Sequence, residues 1–273
     1  MGRWTLDDIP WHRFDRQKLD PELLRIVKAA SLVEHNGTAY ADHLCRIFAD
    51  DANFQEIAQR WGAEEAQHGI ALARWAELAD PEFDFAAAFA RFRQGFRIDF
   101  TSGRSRRGSR AGEMVARCIV EIGTSSYYTA LREASTEPVL HEICRHIAAD
   151  ELRHYRLFQK NLNRCLAGEH LGRLARLRIA LGRVVEMQDD ELAYAYYAAN
   201  ESTLPYDRRR CSDSYARRAY ALYRPHHVAR GIAMLLKAVG LTPNGRLSLI
   251  ASRVAWRLVR WRAAQLARTA PAV

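Results

Sequence analysis

The stretch Ala63-Glu64-Glu65-Ala66-Gln67-His68 returns, slightly altered, as Ala149-Asp150-Glu151-Leu152-Arg153-His154. Each copy holds a Glu-x-x-His, Glu65/His68 and Glu151/His154. A lone glutamate precedes each at nearly the same distance: Glu34 lies 31 residues before Glu65, and Glu121 lies 30 before Glu151. On an α-helix, positions i and i+3 share a face, so the Glu and His of each pair reach one point. Carboxylate oxygens can bridge two cations, and each imidazole supplies one terminal nitrogen. Four Glu and two His thus hold two divalent ions when one Glu comes from each of two helices and a Glu-x-x-His from each of two others. One such motif is ordinary surface decoration on an exposed helix, but two copies with matched upstream glutamates are not accounted for that way. The spacing predicts a carboxylate-bridged di-metal site with Glu34, Glu65, His68, Glu121, Glu151 and His154 as ligands.

Working outward, helical periodicity dominates and alternating strand patterns are nearly absent. Residues 1–19 read as an irregular segment with Trp4, Trp11 and Phe14. Asp20-Pro21-Glu22 is a helix start: a capping Asp, Pro in the first turn, then an acid. From it a helix is expected over about 20–50, and a second over about 51–78, ending before Asp80-Pro81. A long connection follows, 79–109, with a short helix at 83–93 where Phe85, Phe89 and Phe92 recur at helical spacing. It closes on the polar loop Gly103-Arg104-Ser105-Arg106-Arg107-Gly108. A third helix is expected over about 110–135, and a fourth from Glu137-Pro138 to about 166. Two helix hairpins joined by one long crossover are what a ferritin-like four-helix bundle requires. The expected fold is all-α: such a bundle over 20–168, with a C-terminal helical extension over 169–273. That extension carries helical pattern at about 169–187, 189–202, 213–237 and 246–268, broken or bent at Pro205 and Pro225.

Composition bounds the reading. A chain of 273 residues that is 48% hydrophobic can bury one large core with an appended lobe. No apolar run is long enough to span a bilayer, and the N-terminus lacks a signal-peptide core. The five cysteines (45, 118, 144, 165 and 211) are scattered, with no Cys-x-x-Cys. That pattern suits a reduced cytoplasmic protein and leaves no built-in four-cysteine iron centre, so electrons for redox chemistry come from another protein. The net charge of +9 favours acidic partners without choosing among them.

The acids just before the motif glutamates, Glu64 and Asp150, occupy equivalent places in the two repeats. A carboxylate that holds a ligand histidine by its other ring nitrogen is usual at such sites. The expectation is that each supports the histidine of the opposite repeat, Glu64 with His154 and Asp150 with His68. A solvated or capping acid is the plainer alternative.

The segment from Arg60-Trp61 through Glu65 and His68 to Leu72 resembles the second bundle helix of the soluble acyl-[acyl-carrier-protein] desaturases. Ile143 to His154 resembles their fourth. The likeness covers roughly residues 20–165 and does not extend to the C-terminal third. Glu121-Ile122-Gly123-Thr124 matches the desaturase Glu-x-x-Thr, whose Thr lies beside the di-iron centre and is implicated in oxygen activation. By that resemblance, Thr124 is a catalytic candidate for proton delivery or oxygen orientation; a Thr bonding back to its own helix is the alternative. The resemblance implies two ferrous ions, although the same donors also serve Mn/Fe and Mn/Mn pairs. It further implies a ferredoxin-like electron donor, an acyl carrier protein as partner, and a homodimer formed through the bundle.

The activity so implied is oxygen-dependent oxidation of an unactivated C–H bond, foremost desaturation of an acyl chain carried on acyl carrier protein. Two kinds of rival stay open. One is a related di-iron hydroxylase or N-oxygenase, including an RNA-modifying hydroxylase. The other is a ferritin-like protein handling iron or peroxide without an organic substrate. No stacking module or nucleic-acid motif supports nucleic acid as a partner. Arg104, Arg106, Arg107 and Arg110 form a basic loop suited to docking an acidic carrier, with a solvated loop as the alternative. Cys118 and Tyr128 flank Glu121 at helical spacing, with core packing the simpler reading, and Cys144 lies two turns before Glu151. The last helix carries Arg246, Arg253, Arg257 and Arg260 near one face. Its apolar face is expected to pack on the bundle, with a membrane surface as the lesser reading.

Overall fold

A computed structural model describes residues 3–96, 103–186 and 190–268. Residues 97–102 of the expected crossover, and the junction at 187–189, lie outside the described residues. Among those described there is no strand, and every regular element is helical. The chain is all-α.

Two compact units are each assembled from three segments: Met1–Gly103, Leu131–His146 and Gln188–Ala219 form the first, and Arg104–Ala130, Ile147–Met187 and Tyr220–Val273 the second. The sequence boundary expected at residue 168 therefore falls inside a segment of the second unit.

In the first unit, α1 (Pro21–His35) starts as expected, with the Asp20 carboxylate accepting hydrogen bonds from the amides of Glu22 at 2.8 Å and Leu23. The single helix expected over 20–50 is instead interrupted at Asn36, and α2 runs from Gly37 to Ile47. The periodicity continues across the break, but Asn36-Gly37 pairs two poor helix formers. The Asn36 amide is shared between the carbonyls of Leu32 and Val33, and its side chain accepts from Arg93 at 2.9 Å. α3 (Ala52–Ala79) is capped by Asp51, and α4 (Phe85–Gly95) by Asp84, each within two residues of its expected start. The core here includes Ile26, Leu32, Leu44, Phe54, Leu72 and Trp75, all fully buried. The N-terminal segment forms short 3₁₀ turns, not fully irregular chain.

A helix from the C-terminal third, α8 (Asp190–Asn200), also belongs to this unit. It packs on α1 and α4 through buried Ala193, Ala195, Tyr196 and Ala198. Tyr40 donates to Glu191 at 2.6 Å, and Asn200 to the Arg25 carbonyl at 3.0 Å.

α5 (Arg110–Ala134) and α6 (Pro138–Gly168) contribute to both units, which divide at Leu131 and Ile147. In the first unit, Glu137 opens α6. Its carboxylate, buried, accepts from the Leu140 amide at 2.7 Å, the Trp75 indole at 2.7 Å and the Asp15 amide at 3.1 Å.

In the second unit, Glu169 caps α5 by accepting from the Ala111 amide at 2.8 Å, which fixes α5 against the end of α6. α7 (Arg173–Glu186) follows, then α9 (Arg208–Leu222), α10 (Pro225–Ala238) and α11 (Arg246–Arg268). The one helix expected over 213–237 is two, because Pro225 has no amide hydrogen to continue a helix and instead opens the next. Arg230 of α10 donates to Ser125 and Thr129 of α5, and Tyr155 of α6 donates to the Met234 carbonyl at 3.0 Å. α11 packs on α10.

Candidate metal centre

In the first unit, Glu34 is the penultimate residue of α1, and Glu65 and His68 lie one turn apart on α3. All three side chains are buried. Close helix approach brings them together, and two glycines permit it. A β-carbon on Gly37 would lie 2.3 Å from that of Glu65, and one on Gly69 would lie 2.5 Å from the His35 amide nitrogen. A side chain at either position would force its neighbour to shift. His68 Nδ1 stands 3.6 Å from Glu34 Oε2 and 3.8 Å from Glu65 Oε2.

The second unit repeats the arrangement with Glu121 of α5 and Glu151 and His154 of α6, all buried. His154 Nδ1 lies 3.6 Å from Glu121 Oε2. Within each triad the donor atoms lie within 4.8 Å of one another.

These separations exceed hydrogen-bond length. They approach the roughly 3–3.4 Å between adjacent donors that each bind one cation at about 2.0–2.2 Å. Nδ1 is the ring nitrogen turned toward the carboxylates in both triads, so the donors fit a divalent ion that closes each gap. Each buried Glu/His cluster can hold a metal ion.

Electrostatics point the same way. Without a cation, the Glu34 carboxyl is pushed up from its ordinary 4.5 to about 7, chiefly by burial and then by the Glu65 charge, against the opposing pull of His68. Buried carboxylates in this number call for positive charge.

Thr124 donates to Glu151 Oε2 at 2.5 Å. Its oxygen also lies 3.2 Å and 3.3 Å from the carbonyls of Val120 and Glu121. The hydroxyl therefore touches a triad carboxylate and leans on its own helix. Glu64 forms an ion pair with Arg3 at 2.6 Å, and Asp150, buried, pairs with Arg153 one turn along α6.

Cys118 and Cys144 are buried, and burial pushes both thiols well above their ordinary range, so they persist as thiols. Tyr128 is buried edge-on against Tyr127, a core position. In the basic loop, Arg104 and Arg106 are exposed, Arg110 is half-buried, and the Arg107 guanidinium is held by both oxygens of Glu186, one at 2.7 Å. His227 accepts from the Arg224 amide at 3.0 Å and caps α10.

Sequence reasoning missed one neighbour of the first triad. Trp4 is buried with its ring parallel to that of His68, centroids 6.1 Å apart, and stacks on His146 at 5.0 Å. Gln67, beside His68, donates to the Trp4 carbonyl at 3.0 Å. The only prior signal was the density of aromatics in the first 19 residues. No protein-family model and no curated protein sequence matches the chain.

Proposed function

We propose that this protein is an oxygen-dependent di-iron oxidase built on a ferritin-like four-helix bundle, and that it desaturates an acyl chain presented by an acyl carrier protein. The observation that carries the reading is the doubling of one buried triad. Each copy offers one imidazole and two carboxylates, and each arises from the same repeated motif with the same upstream glutamate. In this reading α1, α3, α5 and α6 are the bundle helices, and the six residues of the two triads are the metal ligands. The metal pair, when bound, supplies dioxygen reduction and the oxidising power to break an unactivated C–H bond.

The protein's own groups do the remaining work. Glu34, Glu65, His68, Glu121, Glu151 and His154, all buried, would hold the ions and shield them from bulk water. The Thr124 hydroxyl, on the Glu151 carboxylate, holds that ligand's orientation and can pass a proton at Oε2. Glu64 and Asp150, paired with Arg3 and Arg153, add acidic charge beside the motif glutamates. Arg104 and Arg106, at the exposed edge of the basic loop, guide an acidic carrier protein. An external ferredoxin-like protein supplies electrons, because the cysteines are scattered.

The test is to load the protein anaerobically with ferrous iron, reduce it, and admit dioxygen with acyl-carrier substrates before mass spectrometry of the chains. Loss of two hydrogens is the expected result. Gain of one oxygen would replace desaturation by hydroxylation, and iron oxidation with every chain unchanged would overturn the substrate assignment.

A further inference from the structure

The charge of this protein is concentrated at one end of its sequence. Residues 214–273 hold eleven Lys and Arg and no Asp or Glu. The other 213 residues, with thirty basic and thirty-two acidic side chains, sum to −2, so the whole +9 comes from that end. Six of the eleven are arginines of α11.

The inner side of α11 is settled within its own unit: Ser248 and Leu266 are buried, and Trp256 and Val259 are half-buried. The outer side carries two parallel rows. Leu247, Ile250, Val254, Leu258 and Trp261 recur at spacings of three and four, and all are exposed, Leu258 and Trp261 each at 59%. Arg246, Arg253, Arg257 and Arg260, each one residue before a member of that row, are exposed beside it. Besides Trp256 and Val259, which are half-buried, the helix thus presents a second apolar row outward. α7 repeats the arrangement with Leu174, Leu181 and Val185 on one exposed face beside Arg178, Leu174 being 84% exposed. α7 is anchored to the turn between α10 and α11. A β-carbon on Gly240, which sits at φ +81, would lie 2.6 Å from the Arg176 guanidinium.

We infer that α11, with α7, forms a surface that binds the headgroup layer of an anionic phospholipid bilayer. The apolar row enters the acyl boundary while the arginines stay with the phosphates, Trp261 lying at the level where indole rings are favoured. Charge selects this occupant over the others. A second copy would bring arginine rows together with no acid on α11 to answer them. A nucleic acid would use the arginines but has no place for a continuous row of Leu, Ile and Val. No helix of the described residues is long and apolar enough to cross a membrane, so the contact is along the surface. The inference is independent of whether the buried triads hold metal.

The test is co-sedimentation of the full chain with vesicles of phosphatidylcholine alone or with about a third phosphatidylglycerol, at about 0.1 M salt. The expected result is at least about tenfold tighter binding to the anionic vesicles, weakening as salt rises. Each arginine near such a surface is worth roughly fivefold. R253E/R257E/R260E should therefore lose more than about a hundredfold, and L258A/W261A should lose binding to the same vesicles with its helical circular dichroism unchanged. Arg60→Glu, on α3, should bind like the natural chain. Absence of binding to anionic vesicles would overturn the inference, as would full binding by the triple charge reversal. A complex with RNA that survives L258A/W261A, or a dimer that both variants dissolve, in place of vesicle binding would assign the surface to those occupants instead.

Discussion

At the scale of single residues, the site depends on carboxyls held where water cannot reach them. Glu34 is raised to about 7 in the metal-free protein. An acid whose folded pKa lies above its ordinary value favours the folded state below that ordinary value and loses this contribution as pH rises through the folded pKa. The metal-free protein should therefore lose thermal stability between about pH 4.5 and 7, and saturating ferrous iron, held anaerobically, should flatten the profile. A metal-free melting temperature that rises across that window would contradict the assignment. Thr124→Val removes the hydroxyl from Glu151 while keeping its shape. It should leave the bound metal unchanged and slow turnover by about 10- to 100-fold, with Thr124→Ser restoring most of the rate. Equal loss in both variants would reduce Thr124 to a packing residue. Gly69→Ala drives a methyl group into the His35 backbone. It should cost about 1–3 kcal/mol in urea unfolding and lower metal content together; neutral behaviour in both would mean that α1 and α3 need not approach so closely.

At the scale of elements, most of the helices were legible, because their starts are written in local chemistry. Asp20-Pro21, Asp51, Asp84 and Glu137-Pro138 each stand where a helix begins. The triads were legible for a related reason: Glu-x-x-His is a local pattern and its repetition can be counted. What was not legible depends on contacts distant in sequence. The helical period of 20–50 runs through Asn36-Gly37, and although both are poor helix formers, it is the close packing of Gly37 on Glu65 of α3 that the interruption accommodates. Arg107 reads as part of a docking loop until Glu186, 79 residues away, is found holding it. Trp4 on His68 is of the same kind. Glu137 shows how much one such residue carries, since it caps α6 and also joins α3 and the N-terminal segment. Glu137→Ala leaves a buried indole and a buried amide without their acceptor, and should cost about 3–5 kcal/mol by urea denaturation, with Glu137→Gln milder. A loss under about 1 kcal/mol would show that water replaces the carboxylate.

At the scale of the whole molecule, a chain with a buried Glu/His cluster in each of its two units carries its entire positive excess in the last 60 residues. The buried acids and the exposed arginines are separate devices with separate tests. The proposed function requires that the two triads hold two metal ions. The direct measurement is metal content of the full chain after anaerobic incubation with ferrous iron and removal of the excess, alongside His68→Ala and His154→Ala. The account predicts about two ions per chain, falling to about one or fewer in each variant while helical content is kept. Failure of the natural chain to retain iron, or retention untouched by both substitutions, would contradict it.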